Sequence, residues 1–223
     1  VLNMETGADS GSVVLCRTGA YLPKIYVDGI AAHSGKDPQK GASAIRELVF
    51  KLADLYRFAD TDDNISFNAG IIRGGVAANG IAAHAEMEGD FRFKTVEAGP
   101  KIQAALQEIC EKTYVPRTTT KLDYNPQKAY IPMERTQKNE WLYEIVHAQG
   151  KKLGIEIAAI GVGAGSDSCF TSCAGAPTVC AMGARGELNH SSKEYIWLYS
   201  LTERAKLLAL SILAVGHTKP YVN

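Results

Sequence analysis

From Gly41 to Phe58 the apolar residues Ile45, Leu48, Leu52 and Leu55 recur at spacings of three and four, which predicts a helix with one buried face. The period then drops to two. Ile65, Phe67, Ala69 and Ile71 alternate with Ser66, Asn68 and Gly70, as in a half-buried strand that Gly74-Gly75 ends. A second alternation sends Ala85, Met87, Phe91 and Phe93 to one face and His84, Glu86, Glu88, Asp90 and Arg92 to the other. Pro100 falls in the first turn of a second helix, where a missing N–H is harmless, and Ile102, Leu106 and Ile109 give that helix its apolar side. Strands at Tyr21 to Asp28 and Thr118 to Tyr124 complete a βαββαβ order, the ferredoxin-like arrangement, with two helices on one sheet face and the other face free.

The flanks follow a different rhythm. Residues 1–18 read as short strands, Gln137 to Gly154 as a helix stopped by Gly154, and Ile155 to Ile160 as a brief strand. Gly161 to Gly165 reads as a loop, Asp167 as the start of a short helix, and Pro177 to Met182 as a buried strand. Leu198 to Val215 is an amphipathic helix with Leu201, Ala205, Leu208 and Ile212 aligned. Alternating strands and helices indicate an α/β layer with a mostly parallel sheet. The chain is therefore expected to be a discontinuous α/β domain, residues 1–18 and 126–223, interrupted by an inserted α+β domain, residues 19–125.

Composition narrows the function without naming it. Lys plus Arg and Asp plus Glu each total 24 in 223 residues, so no net field points to nucleic acid or an anionic membrane. No apolar run approaches the ~20 residues of a membrane span, and no basic-then-apolar leader opens the chain. The start, Val1-Leu2-Asn3-Met4-Glu5, reads as a strand already under way, as in a cut or truncated product. The 5 cysteines include no CxxC pair and suggest reduced thiols and a cytoplasmic protein. Cys169 and Cys173, four apart on the short helix, are expected to face a core.

Two C-terminal motifs carry candidate chemistry. His190 lies in the loop between the buried strand and the last helix, the rim where open α/β sheets place ligands. A neutral imidazole there can bind zinc or can simply cap a turn, and spacing does not choose between them. Gly163-Ala164-Gly165-Ser166-Asp167 leads into a helix start capped by Ser166 or Asp167, which can hold a bound carboxylate but on local grounds suits a plain capped helix better. Ser166 and His190 do not make a serine hydrolase, because no G-x-S-x-G elbow is present.

Four ordered segments give these motifs company. They are Val27-Asp28-Gly29-Ile30-Ala31-Ala32-His33-Ser34-Gly35 with Pro38 and Gly41; Gly74-Gly75 with Asn79 and Asp90-Phe91-Arg92; the Gly-Ser-Asp loop; and His190 with Glu194-Tyr195. In order and spacing the chain resembles the di-zinc metallopeptidase superfamily of glutamate carboxypeptidase, aminoacylase, acetylornithine deacetylase and succinyl-diaminopimelate desuccinylase, over the C-terminal part of a member. The resemblance implies a partial catalytic domain interrupted by a ferredoxin-like lid that forms a homodimer. It implies Glu5 as a ligand of one zinc, with Thr6 where proline is common, and His190 as a ligand of the other. His33 would act in trans on the partner's site as an oxyanion donor, with Asn79 beside it. Arg92, Gly165 and Ser166 would hold the substrate's carboxylate. The other ligands and a Glu base would lie upstream, outside this sequence.

The reaction implied is hydrolysis of an amide next to a free carboxylate, on a small peptide or an N-acyl amino acid. This chain alone would be inactive and would hold zinc weakly or not at all. A second reading stays open, a non-catalytic dimerisation or binding module that has kept the fold.

Overall fold

The computed structural model describes residues 1–124, 129–219 and 221, and the chain divides into two compact units, Gly19–Tyr130 and Val1–Thr18 with Ile131–Asn223. The expected domain boundary at residues 125 and 126 lies outside the described residues. In chain order, β1 (Val13–Arg17) precedes the continuous unit, which runs β2 (Gly19–Tyr21), β3 (Lys24–Asp28), β4 (Ala32–His33), α1 (Ala44–Ala59), β5 (Ile65–Gly74), β6 (Gly80–Ile81), β7 (His84–Phe93), α2 (Ala98–Glu111) and β8 (Thr119–Asp123). There follow α3 (Gln137–Lys152), β9 (Ala159–Val162), α4 (Ser168–Cys173), β10 (Gly186–Glu187), β11 (Tyr195–Ile196) and α5 (Leu198–His217).

In the continuous unit β7 is central. It pairs antiparallel with β5 on one side and with β3 and the short β2 on the other, and β8 lies outside β3. The order β3-α1-β5-β7-α2-β8 is the ferredoxin-like βαββαβ. One face of β7 buries Ala85, Met87, Phe91 and Phe93 against Leu48, Leu52 and Leu55 of α1 and Ile102 and Leu106 of α2. The opposite face fixes the register with charge: Lys24 meets Glu88 at 2.8 Å, and Arg73 meets Glu86 at 3.0 Å.

Helix α1 starts where Ser43 Oγ accepts the Arg46 N–H at 3.2 Å. Its buried stripe differs from the apolar one, since Ile45 is 42% exposed whereas Glu47 and Lys51 are buried. Lys51 Nζ donates to the carbonyls of Ile109 and Cys110 at 2.9 and 3.1 Å and lies 3.1 Å from Glu47 Oε1. The other Glu47 oxygen accepts the N–H groups of Tyr114 and Val115. This pair therefore closes the C-terminus of α2, where backbone carbonyls lack helical partners. Burial pushes the neighbouring Cys110 thiol up to about 11, which keeps it protonated.

The discontinuous unit is mixed, not mostly parallel. Strand β1 runs parallel to β9, but residues around Cys180 run antiparallel to β1 while running parallel to residues 2–7. The brief strand expected at 155–160 is displaced to β9, and 177–182 is buried without forming a long ladder. Val13, Leu15, Leu142, Val146, Ile157, Val179, Met182 and Leu207 make the core. Thr136 caps α3, whose buried Asn139 donates to Glu134 O and Ser172 Oγ and accepts the Thr178 N–H at 2.8 Å. Gly154, at φ +71°, ends the helix in a Schellman turn, with the Ile155 N–H on Gly150 O.

Helix α5 is out of phase with its expected stripe. Leu201 and Ile212 are 49% and 55% exposed, and Ser200, Arg204, Leu207 and Ser211 face inward. In the short helix, Cys169 is buried as expected but Cys173 is exposed. Among the described residues no helix is long and apolar enough to cross a membrane.

Candidate active site

His33 and Asn79, distant in sequence, are brought together. Strands β4 and β6 pair His33 with Gly80, and Ser34 donates both its N–H and its hydroxyl to Asn79 O at 3.0 and 2.9 Å. His33 Nδ1 accepts the N–H groups of Gly35 at 3.1 Å and Lys36 at 3.2 Å. A ring nitrogen that accepts two amide protons must carry its lone pair there, so a neutral His33 bears its proton on Nε2. The exposed ring thus presents one oriented N–H donor next to the Asn79 backbone.

Arg92 is elsewhere on the same unit. It lies eight residues along β7 from His84, or about 27 Å at ~3.4 Å per residue, whereas the β4–β6 pair continues from the His84 end. Its guanidinium already grips Asp90, with Nε and Nη2 both donating to Oδ2 at 3.1 and 2.9 Å. At the His84 end, His84 Nδ1 is 2.8 Å from Asp28 Oδ1, and this hydrogen bond holds the imidazole above the usual histidine range.

The discontinuous unit carries Glu5 and His190. Glu5 ends the run of residues alongside 179–183, and its carbonyl accepts the Gly183 N–H at 2.8 Å. A side chain at Gly183 would sit 2.5 Å from that oxygen, so only glycine permits this approach. Both Glu5 and His190 are exposed. Leu188 and His190 occupy left-handed backbone, at φ 61° and 65°, in a turn where the Glu194 carboxylate accepts the His190 N–H at 3.2 Å. Glu194, not the imidazole, caps that turn. Glu5 and His190 offer an oxygen and a nitrogen of the kinds zinc takes, one ligand each. Among the described residues no group of three or more His, Cys, Asp or Glu could hold a metal ion. The donor types therefore fit a metal, as an incomplete set.

The Gly-Ser-Asp loop differs from expectation. Ser166 is 5% exposed, and its oxygen accepts from Ser168 N and Oγ, so the hydroxyl is turned inward. Asp167 precedes α4 without a side-chain cap. What fastens the loop is Arg17, which donates to Ala164 O at 2.9 Å and to Cys180 Sγ at 3.3 Å. Nothing in the local pattern around Cys16-Arg17-Thr18 signals that role.

Comparison with known proteins finds relatives of the same fold. The family profile described as "Peptidase dimerisation domain" matches residues 17–118. Carboxypeptidase G2 of Pseudomonas sp. (strain RS-16) is 24% identical over 98% of this chain and 53% of its own length. Aminopeptidase PepT from Bacillus cereus ATCC 10987 shares the fold with a TM-score of 0.77, at 21% identity over 96% of this chain and 57% of that one. A Staphylococcus aureus tripeptidase gives 0.73 at 21% identity over 96% and 56%. An amidase of the hydantoinase/carbamoylase family from Burkholderia multivorans gives 0.65 at 19% identity over 99% and 56%. The chain spans about half the length of these relatives. Residues 17–118 are thus similar to the M20 peptidase dimerisation domain, and the chain as a whole shares its fold with part of these peptidases and amidases.

Proposed function

We propose that this chain is the lid and C-terminal segment of a zinc-dependent hydrolase that cleaves an amide next to a free carboxylate, in the manner of a glutamate carboxypeptidase or an N-acyl amino acid deacylase. The observation that carries the reading is the His33–Asn79 juxtaposition, with a fixed Nε2–H donor beside an exposed carboxamide. A donor held by backbone amides costs no reorganisation when negative charge develops on a carbonyl oxygen. Asn79 Nδ2 would donate to the same oxygen or to a neighbouring carbonyl. Glu5 and His190 would each hold one zinc, together with ligands from a preceding segment. When bound, the metals would acidify a water and polarise the scissile carbonyl.

Arg92 suits the substrate's carboxylate, whose oxygens would take over the two donors now on Asp90 Oδ2. A two-residue substrate spans at most about 7 Å. It cannot bridge the length of β7, so His33 and Arg92 acting on one substrate belong to different copies of the chain. That agrees with a homodimer formed along the free edge of β5 and the exposed Ile45, Val49 and Tyr56 of α1.

The test is amino acid release from N-acyl amino acids and short peptides by the full-length, zinc-loaded protein. No release from either substrate class would sink the reading. The incomplete ligand set favours a second reading, a non-catalytic dimerisation module. That reading predicts no tight zinc even in the full-length protein.

A further inference from the structure

Arg117 lies between α2 and β8 with its backbone at φ 72°, a conformation that bulky residues avoid. Its guanidinium donates to three consecutive carbonyls, Gln39 O at 3.0 Å, Lys40 O at 3.2 Å and Gly41 O at 2.6 Å. Those carbonyls close the segment that begins at His33. Lys40 N donates to Asp37 O at 3.0 Å, and Asp37 N to His33 O at 3.1 Å. Lys36 N, one residue earlier, is a donor that fixes His33 Nδ1. Two backbone–backbone hydrogen bonds thus lie between the Arg117 side chain at one end and the His33 ring at the other, so the loop transmits displacement at its far end to the imidazole.

We infer that Arg117 is a positioning residue for His33: it grips the far end of the 33–41 loop and so keeps the Gly35 and Lys36 amides on Nδ1. The inference rests on the reading of His33 as an oxyanion donor. A guanidinium suits the task because its planar fork reaches several oxygens at once, which an ammonium does less well. The rival is that the Ile30–Ala42 backbone pair at the loop's base suffices without Arg117.

Arg117→Gly separates them, because glycine accepts the left-handed backbone and removes only the side chain. Amide exchange is read first, on the 223-residue chain. Gly35, Lys36 and Asp37 should exchange about tenfold faster, the signature of local opening, while Leu48 and Leu52 of α1 and the melting midpoint stay unchanged. Unchanged exchange at those three amides overturns the inference. In the full-length, zinc-loaded enzyme, Arg117→Gly should lower kcat about tenfold with KM unchanged, as loss of an oriented oxyanion donor requires, and Arg117→Lys should recover part. If His33→Ala is severe and Arg117→Gly is silent, the positioning role falls and the reading of His33 stands. If both are silent, that reading falls and takes the inference with it.

Discussion

The two units of this chain hold their candidate functional groups in opposite ways. In Gly19–Tyr130 the groups that matter are closed on backbone: His33 takes two amides, Lys51 caps α2, and Glu47 takes Tyr114 and Val115. In the other unit Asn139, Arg17 and Arg185 are closed on backbone too, but Glu5 and His190, the candidate ligands, stand exposed with side chains aimed at no neighbour among the described residues. The first unit positions donors through its own fold. On the proposed reading, the second would offer ligands that a metal has to organise, because isolated donors gain fixed geometry only when something binds them.

The most damaging way to test that contrast is at Lys51. Replacing it with Met leaves Glu47 buried without its cation and the α2 carbonyls without a donor, which costs about 3–5 kcal/mol. Adding Glu47→Gln should restore part of the loss in denaturant melts. A single variant as stable as the parent would show that the pair does not hold the unit together.

His33 comes next. His33→Ala in the full-length enzyme should lower kcat about 10²–10³-fold, the usual cost of one oxyanion donor, with little change in KM. Mixing His33→Ala with Arg92→Ala chains sharpens the point. If the two groups serve one substrate from different copies, re-equilibrated dimers should regain about a quarter of parental activity, since half the dimers are mixed and half their sites intact. No recovery would place both groups in one copy's site, against the strand geometry.

Asn139→Ala probes the closed lock of the second unit. It strips the buried Thr178 N–H of its acceptor and should cost about 1–3 kcal/mol, less than the Lys51 change because no charge is left behind. A loss equal to that at Lys51 would erase the distinction between the units.

These residues also mark where sequence reading succeeds. The alternation in β7 was legible because a strand with one buried face must alternate, and its polar partners supply the charge pairs that set register. Helix α5 was misread in phase for a physical reason. Ser200 and Ser211 satisfy their hydroxyls on Trp197 O and Leu207 O and so bury cheaply, and Arg204 turns inward to donate to Gly11 O, while Leu201 and Ile212 point outward. Lys51 and Arg117 have no local signature, because their acceptors lie on other elements. Ser166 is legible as a cap at a helix start, but its inward hydroxyl is decided by Ser168 and Cys180.

The smallest effect lies at the His84 end of β7, where Asp28 and His84 face each other across the β3–β7 register with Glu86 3.8 Å from Nε2. The Asp28 hydrogen bond comes first among the causes that raise the His84 pKa, ahead of the opposing desolvation. A raised histidine stabilises the fold through its charged form. The contribution is complete below the unfolded value of about 6.5 and disappears as pH climbs through the higher folded value. Because the imidazole is 53% exposed, water screens the pair and the stability change should be slight. The informative readout is local. In an NMR titration His84 should lose its proton above the ordinary range, and Asp28→Asn should bring that midpoint down. Glu86→Gln should do so by less, since the longer contact makes Glu86 the weaker partner. A midpoint indifferent to Asp28 would mean that even this exposed edge of the first unit is tuned by something other than its nearest charge.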